Sequence, residues 1–238
     1  MRIALIGYGK MGKAIERIAI SRGHEIVLKI DLVNADEMTP AHLSMAEVAI
    51  EFTGPSSAAS NLLRCAEAGI PVVCGSTGWL EKYPEIKKTF EKKETAFLYA
   101  SNFSIGVNIF FELNKKLASL MFAHPEYKVE IKEIHHTQKK DAPSGTAITL
   151  AEEILAGRKA LKSWVNRPAE MEEELSILSE RIDPAPGTHD VKYSSAIDDL
   201  EIIHTAHNRE GFAGGAVLAA EFIHNKKGIF SMKDVLGF

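Results

Sequence analysis

The sequence has few cysteines, no long apolar run and no excess of positive charge, and each absence excludes a class of protein. Only two cysteines, Cys65 and Cys74, occur in 238 residues, and they form no CxxC pair. We therefore expect a reduced, cytoplasmic protein rather than a disulfide-bonded secreted one. No apolar run approaches the roughly 18 residues that a transmembrane helix needs. The apolar run at the start of the sequence is also too short for a signal peptide, so we expect no membrane partner.

The charge balance argues against a protein that binds nucleic acid through its overall field. There are 28 lysines and arginines against 32 aspartates and glutamates, a formal net charge of −4. The chain therefore has no general basic field to attract a polyanion, and an anionic ligand must be bound by a local cluster. Hydrophobic residues make up 45% and charged residues 25% of the sequence, which is typical of a globular protein.

The N-terminal part of the chain alternates strands with helices. A strand, a glycine turn, a helix and a second strand form a βαβ unit, and three further strands follow. This order predicts a parallel, doubly wound sheet, which is an α/β fold of the Rossmann type. The predicted strands are Arg2–Ile6, Glu25–Ile30, Ala46–Phe52, Ile70–Cys74 and Ala96–Ala100, and the predicted helices are Lys13–Ser21 and Ser57–Ala68.

The pattern changes near Asn102 and indicates a C-terminal α+β domain. Residues alternate with period two in Tyr127–Ile134, which predicts a strand with one covered face, whereas Leu161–Arg181 has no clear pattern. We predict a dinucleotide-binding domain over residues 1–103, on which residues 212–238 pack, and a substrate domain over residues 104–211. The other predicted elements are the helices Val107–Met121, Thr146–Leu155 and Ala213–His224 and the strands Val191–Ser195 and Leu200–Ala206.

The first strand is followed by a complete GxGxxG motif, which is typical of dinucleotide binding. Gly7 allows the tight turn, Gly9 lets the backbone approach a pyrophosphate, and Gly12 lets the helix pack closely on the strand. The N-terminus of the helix then offers free N–H groups to the phosphates. The alternative is a glycine turn that serves packing only.

Asp31 ends the second predicted strand, where an acid can accept hydrogen bonds from the adenosine ribose. Its carboxylate would repel a 2′-phosphate, and the next residue is Leu32 rather than an arginine. This favours NADH over NADPH, although Lys10 in the glycine loop could still support some NADPH binding.

Two more segments follow predicted strands and should line the nicotinamide side of the cofactor. One is the CGSTG turn at residues 74–78, and the other is the ASNF segment at residues 100–103. Ligands of doubly wound sheets lie beyond the carboxyl ends of the strands, where both segments are expected. The alternative for CGSTG is an ordinary turn, and we expect Cys74 to be a small buried residue rather than a nucleophile.

The segment EIHHTQKKDAPSGTA at residues 133–147 brings histidines, lysines and a Pro-Ser-Gly-Thr turn together. A histidine can donate a proton near neutral pH, a lysine can neutralise a carboxylate, and a helix that begins at the turn provides an anion site. The set suits a small acidic substrate that accepts a hydride and a proton. The alternatives are a metal half-site at the two histidines, a solvated lysine pair, and a Ser144 that only caps the helix.

Several motifs together resemble the dihydrodipicolinate reductase family of the diaminopimelate route to lysine, over nearly the whole chain. They are IGYGKMG, EFTGPSS, CGSTGW, ASNFSIGVN, EIHHTQKKDAPSGTA, the GTH at Gly187–His189 and HNREGFAGGAV at residues 207–217. The resemblance implies reduction of 4-hydroxy-tetrahydrodipicolinate, a small cyclic dicarboxylate, with NADH or NADPH. It also implies a cytoplasmic homotetramer that is assembled through the sheet of the second domain.

The resemblance also implies roles for individual residues. His135 matches the proton donor, His136 a substrate contact, and Lys139 a second acid and substrate clamp. Ser144, Gly145 and Thr146 lie in the turn that would cradle a substrate carboxylate. No metal is expected. The implied cofactor contacts are Gly7, Tyr8, Gly9, Lys10, Met11, Gly12, Asp31, Gly75, Ser76, Thr77, Ala100, Ser101, Asn102 and Phe103.

Two other functions compete with this interpretation. One is a different two-domain dehydrogenase, such as one that acts on homoserine or a sugar, and the DAPSGTA block argues against it. The other is a redox sensor that binds NAD without catalysis, since a Rossmann fold does not by itself fix the function. A sensor would not need His135, Lys139 and Thr146 in one segment.

Overall fold

The computed structural model describes residues 1–208 and 210–238, so position 209 of the HNREGFAGGAV motif lies outside the described residues. Eight α-helices and eleven strands lie within the described ranges. In chain order they are β1 (Arg2–Ile6), α1 (Lys10–Ser21), β2 (Glu25–Ile30), α2 (Pro40–Leu43), β3 (Val48–Glu51), α3 (Ala58–Glu67), β4 (Val72–Cys74), α4 (Tyr83–Lys92), β5 (Ala96–Tyr99), α5 (Ile105–Leu120), β6 (Lys128–His135), α6 (Gly145–Gly157), β7 (Ser163–Val165), β8 (Glu174–Arg181), β9 (Gly187–Ser194), β10 (Asp199–Ala206), α7 (Glu210–Ile223), β11 (Gly228–Phe230) and α8 (Met232–Leu236).

The chain forms two compact units. The first contains residues 1–105 and 210–238, and the second contains residues 106–209. The first unit holds a six-stranded sheet in the order β11-β5-β4-β3-β1-β2, and all its strand pairs are parallel. Two clusters of buried apolar side chains, one with α3 and α4 and the other with α1 and α7, include residues of this sheet. Helices therefore cover both faces, as the strand–helix alternation predicted.

The strand order of the first unit reverses beside β1. The chain moves from β1 to β2 on one side and then continues with β3 on the other side. The carboxyl ends of β1 and β3 therefore flank the topological switch point, where ligands of doubly wound sheets bind. The predicted glycine motif follows β1, at this point of the sheet.

The second unit holds a five-stranded mixed sheet in the order β10-β9-β6-β8-β7. Strand β6 pairs antiparallel with β9 and parallel with β8, and it therefore lies in the centre of the sheet. Apolar residues from α5 and α6 form one core with the covered face of the sheet. The predicted antiparallel pairing of the last two strands is confirmed, because β9 pairs antiparallel with β10.

Several boundaries differ from the sequence-based predictions. Helix α1 begins at Lys10 rather than Lys13, since Gly9 serves as its N-cap. Strand β9 begins at Gly187 rather than Val191, because the polar GTH segment continues the ladder with an alternating buried side. The segment without a clear pattern contains β7 and β8, and β11 and α8 follow the helix that was expected to be last.

None of the helices in the described ranges is long and apolar enough to cross a membrane.

Candidate active site

The glycine loop between β1 and α1 leaves no room for side chains at two of its glycines. Gly7 has φ +98°, and a β-carbon there would lie 2.1 Å from the carbonyl oxygen of Phe52. A β-carbon at Gly12 would lie 2.3 Å from the carbonyl oxygen of Gly7, so the helix approaches the loop closely. No heavy atom lies within 4 Å of a β-carbon built on Gly9. The open side of the loop is therefore at Gly9, where the motif brings a phosphate against the backbone.

The N-terminus of α1 has no side-chain cap and no acidic residue in its first turn. The partial positive charge of this twelve-residue helix is thus not compensated by its own side chains. Lys10 is exposed at the same end, and Met11 is half-buried. The hydroxyl of Tyr8 donates to Glu16, which also pairs with Lys29 at 2.5 Å. This contact fixes the tyrosine of the glycine loop against α1 and β2.

Asp31 follows β2 directly and is exposed. Its Oδ1 accepts a hydrogen bond from the amide of Leu32 at 2.9 Å, and its own amide donates to Oδ1 of Asn34 at 2.7 Å. The first bond orients the carboxylate, and the second fixes the Asp31 backbone at the end of the strand. Leu32 and Val33 are exposed for 91% and 95%, so no basic side chain follows the acid at the place where a 2′-phosphate would lie.

The two other predicted cofactor segments follow the carboxyl ends of β4 and β5. A β-carbon at Gly75 would lie 2.2 Å from the Phe52 ring, so the turn after β4 requires a glycine. The Ser76 hydroxyl is buried and accepts from the amide of Thr53 at 2.8 Å. Thr77 is exposed. After β5, Ala100 donates to the carbonyl of Cys74 at 3.2 Å.

The remaining residues of the ASNF segment differ in exposure. Ser101 is exposed, whereas Asn102 and Phe103 are buried. Asn102 accepts a hydrogen bond from the amide of Ser104 at 2.9 Å. All the predicted cofactor contacts therefore follow carboxyl ends of strands in one parallel sheet, as the sequence indicated.

The sequence-based reasoning missed the acid behind this sheet edge. Glu51 is the last residue of β3 and is fully buried, and its Oε2 accepts from the Cys74 thiol at 3.1 Å. Burial and the negative charge of Glu51 raise the pKa of the Cys74 thiol far above its usual value. Cys74 is thus a small buried residue, as expected, and not a nucleophile.

In the second unit, β6 ends at His135, and this is why both adjacent histidines lie at the end of a strand. His135 is 8% exposed and faces the covered side of the sheet, whereas His136 is half-buried. Nδ1 of His135 lies 3.0 Å from Oε2 of Glu133, although neither atom makes a well-directed hydrogen bond in this conformation. The contact between the two side chains is therefore electrostatic.

Glu133 is fully buried, and its carboxylate is surrounded by donors. Its Oε1 accepts from the Ser144 amide at 3.1 Å and from Nη2 of Arg181 at 3.1 Å. Burial alone would raise the pKa of Glu133, but the interactions with His135, Ser144 and Arg181 together hold the pKa well below its usual value. The carboxylate is therefore ionised at neutral pH.

His189 lies directly opposite Glu133 in the antiparallel register of β6 and β9. Its Nε2 lies 3.0 Å from the Ser144 hydroxyl and 3.8 Å from Oε2 of Glu133. Burial and the nearby charge of His135 lower the pKa of His189 to about 3. The ring is thus neutral near pH 7, and the side chain is 5% exposed.

Lys139 is in the loop after β6, and its ammonium group is held by Asp141. Nζ lies 2.8 Å from Oδ1 and 2.7 Å from Oδ2 of the aspartate. The lysine side chain is 22% exposed, whereas the aspartate side chain is 61% exposed. Although partial burial alone would raise the pKa of Asp141, the interaction with Lys139 lowers it, so the aspartate is ionised at neutral pH. Lys139, the predicted substrate clamp, therefore already binds a carboxylate, that of Asp141.

The turn that begins α6 combines a cap and an exposed backbone. The Ser144 hydroxyl accepts from the Ala147 amide at 3.2 Å, which makes Ser144 the N-cap. Since this hydroxyl also contacts His189, both of its contacts are inside the protein. Gly145 is exposed and Thr146 is half-buried at the first turn of the helix. The anion-binding end of this helix is therefore presented by Gly145 and Thr146.

Within the described residues, Glu133, His135 and His189 offer ligand atoms that lie within 4.8 Å of one another, as a metal site would require. However, the Glu133 carboxylate already has the guanidinium group of Arg181 against it. A metal ion would add a second cation beside the same carboxylate. We assign no metal to this cluster, and the absence of a metal stays a prediction.

The structure brings His135, Ser144 and the start of α6 together and adds three residues that sequence reasoning did not assign to the site, namely Glu133, Arg181 and His189. One signal for Glu133 was present, because the alternation of β6 puts this acid on the same side as Ile131. An acid on the covered face of a strand needs partners, and only the tertiary structure shows which residues they are.

Comparison with known proteins gives consistent matches over the chain. The family described as "Dihydrodipicolinate reductase, N-terminus" matches residues 1–103, and "Dihydrodipicolinate reductase, C-terminus" matches residues 106–236. A 4-hydroxy-tetrahydrodipicolinate reductase of Christiangramia forsetii is 51% identical over 238 residues, with 99% of this chain and 98% of that protein covered. The protein of that name from Thermosipho africanus is 37% identical, with 99% and 98% covered.

A solved structure has the same fold. The dipicolinate-bound dihydrodipicolinate reductase of Paenisporosarcina sp. TG-14 matches with a TM-score of 0.77 at 24% sequence identity, and 97% of each chain is covered. The Rossmann-type unit and the matched relatives define the class of this protein, an oxidoreductase that uses a nicotinamide cofactor. Within that class, the chain belongs to the dihydrodipicolinate reductase family, which confirms the resemblance found in the motifs.

Proposed function

We propose that the protein reduces 4-hydroxy-tetrahydrodipicolinate, or its dehydrated form, to tetrahydrodipicolinate in the diaminopimelate route to lysine. The hydroxylated compound would first lose water, which leaves a carbon–carbon double bond in the ring. A bound reduced nicotinamide would supply a hydride to one carbon of that bond, and His135 delivers a proton to the adjacent carbon. The observation that carries this proposal is the buried cluster at the end of β6. There, a histidine, an ionised carboxylate and the start of α6 meet in one place.

His135 has the surroundings that a proton donor needs. One ring nitrogen, Nδ1, faces the ionised carboxylate of Glu133, which leaves Nε2 as the nitrogen that exchanges a proton with the substrate. The neighbouring His189 is neutral and does not compete as a source of protons near pH 7. Proton transfer by a positioned histidine contributes about 10²–10⁴-fold to a rate, so His135 is a sufficient general acid.

The substrate carboxylates are bound by the first turn of α6 and by Lys139. Gly145 and Thr146 present the positive end of a thirteen-residue helix, which favours an anion. Lys139 holds the carboxylate of Asp141 in this structure, and a substrate carboxylate would take the same place. The lysine then clamps the substrate and stabilises negative charge during reduction, and His136 adds a contact from the end of the strand.

The glycine loop and the segments after β4 and β5 bind NADH or NADPH, and we propose NADH as the preferred cofactor. Asp31 is fixed at the end of β2 by two hydrogen bonds, and the exposed Leu32 offers no positive charge for a 2′-phosphate. Lys10 is exposed at the start of α1, beside the glycine loop, and leaves some affinity for NADPH.

We further propose that the first unit is the dinucleotide-binding domain and the second unit the substrate-binding domain. The second unit also forms the interface of a cytoplasmic homotetramer through the uncovered side of its sheet. This side carries charged residues such as Lys132, which pairs with Glu180 at 2.8 Å, and the half-exposed Ile203. The family resemblance supports this assembly.

A substrate panel tests the proposed reaction. The cyclic substrate is made in situ from pyruvate and aspartate semialdehyde by a coupled synthase, and oxidation of NADH and of NADPH is followed by absorbance. Homoserine and a sugar such as myo-inositol are offered with the oxidised cofactors in parallel. We expect rapid oxidation only when the synthase product is present.

Two outcomes would contradict the proposal. Turnover of homoserine or the sugar without turnover of the cyclic dicarboxylate would show another dehydrogenase. Tight binding of NADH with no turnover of any compound would show a sensor. Omission of the synthase controls for direct reduction of aspartate semialdehyde.

A further inference from the structure

Glu133 is a fully buried acid on the covered face of a central strand, where its neighbour on the same side is Ile131. A buried carboxylate is costly unless its charge is paired and its oxygens are hydrogen-bonded. Arg181 and the Ser144 amide satisfy Oε1. The other oxygen, Oε2, faces two histidine rings, at 3.0 Å from His135 and 3.8 Å from His189. The pairing with Arg181 therefore explains the partners of Oε1 but not the position of Oε2 beside the histidines.

The two strands beside β6 supply the partners of Glu133. Arg181 is opposite His135 in the parallel ladder with β8, and His189 is opposite Glu133 in the antiparallel ladder with β9. Nη2 of Arg181 also donates to the carbonyl of Asp141 at 2.6 Å, which ties the loop of Lys139 to the same group. The carboxylate thus lies at the centre of contacts that reach the proton donor, the loop and the start of α6.

We propose that Glu133 is a positioning residue for reduction. Its Oε2 orients the His135 ring with Nδ1 toward the carboxylate, and its Oε1 fixes the Ser144 backbone from which the substrate-binding turn begins. The inference rests on the proposed function, because His135 must be the proton donor for its orientation to matter. A carboxylate that fixes the orientation and tautomer of a catalytic imidazole is a general device of enzymes. Here one carboxylate holds both the donor and the turn.

Substitution of Glu133 by glutamine separates the two tasks. Glutamine has nearly the same volume and retains an oxygen that can accept from the Ser144 amide, but it removes the charge beside His135. We expect Glu133→Gln to lower kcat by about 10–100-fold, since misplacement of a catalytic group by about 1 Å has effects of this size. KM for the cyclic dicarboxylate should change by less than about threefold, because the turn keeps its acceptor.

Glu133→Ala removes the acceptor as well, so KM should rise together with the loss of kcat. The matched control is Glu126→Gln, an exposed glutamate that precedes the same strand, which should leave both constants unchanged. NADH affinity is measured for every variant to check that the first unit, which we propose binds the cofactor, is intact. If Glu133→Gln fails to fold because Arg181 loses its partner, the double variant Glu133→Gln with Arg181→Gln removes both charges and takes its place.

A double-mutant cycle with His135→Ala decides the proposal, with rates measured in single turnovers at excess enzyme. We expect glutamine at position 133 to change the rate less than about twofold when His135 is absent, because its effect passes through that ring. An equal loss in both backgrounds, or an unchanged kcat in Glu133→Gln alone, would overturn the inference. Full activity of His135→Ala itself would overturn the proposed proton donor and the inference together. A low activity of His135→Ala with an unchanged kcat in Glu133→Gln would overturn the inference alone.

Discussion

Gly187 lies so close to His135 that a β-carbon at position 187 would come within 3.1 Å of Nε2 of the histidine ring. Gly187 begins β9, two residues before His189 on the same buried side of the strand. Nδ1 of the ring therefore faces the carboxylate of Glu133, whereas Nε2 faces a position that has no side chain. A side chain at position 187 would crowd the nitrogen that we propose exchanges a proton with the substrate.

This relationship predicts that Gly187→Ala lowers kcat. The new methyl group must displace the His135 ring, and the φ of +156° at this position also disfavours a side chain. We expect a loss of about 10–100-fold in kcat with NADH affinity unchanged. Steady-state kinetics and NADH titration measure the two quantities. Gly214→Ala is the control, since no heavy atom lies within 4 Å of a β-carbon built there, and a parent-like kcat in Gly187→Ala would refute the prediction.

Asp141 should compete with the substrate for Lys139. Asp141→Asn removes the carboxylate that holds the ammonium group in this structure. The substrate then no longer has to displace the aspartate from Lys139. Because an exposed ion pair contributes little free energy, we expect KM for the cyclic dicarboxylate to fall by no more than about fivefold. Glu94→Gln, which breaks the exposed pair with Lys227 in the first unit, is the control. A higher KM in Asp141→Asn would mean instead that the aspartate holds Lys139 in its active position.

His189 should make the protein less stable in acid. Its pKa is about 3 in the folded protein, below the ordinary value of 6.5. As the pH falls from 6.5 toward 3, the unfolded chain binds a proton that the folded chain does not bind, so stability is lost across this window. Between pH 7.5 and pH 5 the loss from this residue is about 2 kcal/mol.

The His189→Gln variant tests this effect because glutamine does not titrate. Urea unfolding of the parent and the variant at both pH values gives the free energies of unfolding. We expect the decrease between pH 7.5 and pH 5 to be smaller in the variant by about 2 kcal/mol. Equal decreases in the two proteins would show that His189 is not buried in its neutral form.

Asp31 should determine the cofactor preference. Asp31→Ala removes the carboxylate that is fixed at the end of β2, so we expect NADH affinity to fall by about tenfold and NADPH affinity to fall less or to rise. Titration of the variant with each cofactor measures both constants. Asp36→Ala changes an exposed acid a few residues further along the chain and is the control. Equal losses for NADH and NADPH would show that Asp31 does not contact the ribose.

The βαβ unit at the start of the first unit could be predicted from the sequence because its signals are local. The glycine motif, the apolar strands and the acid after β2 all lie within one βαβ unit, so their spacing alone places them. The same holds for the end of β6 and the start of α6. The parallel pairing of these strands also followed from the alternation of strands and helices.

The partners of Glu133 could not be predicted, because they come from strands far along the chain. Arg181 belongs to a segment with no apolar periodicity, and His189 belongs to a polar start of β9 that resembles a loop. Their proximity depends on the registers of β8 and β9 against β6. Likewise, the pairing of Lys139 with Asp141 is a choice of side-chain conformation that no sequence pattern encodes.

The most direct test of the account is the turnover of His135→Ala with the cyclic dicarboxylate and NADH, with NADH affinity measured on the same sample. The exposed His124, which pairs with Glu126, provides the control variant His124→Ala. We predict that His135→Ala lowers kcat by about 10²–10⁴-fold with NADH affinity unchanged, as for the loss of a general acid, and that the control keeps the parent rate. A His135→Ala variant that turns over at the parent rate would contradict the account.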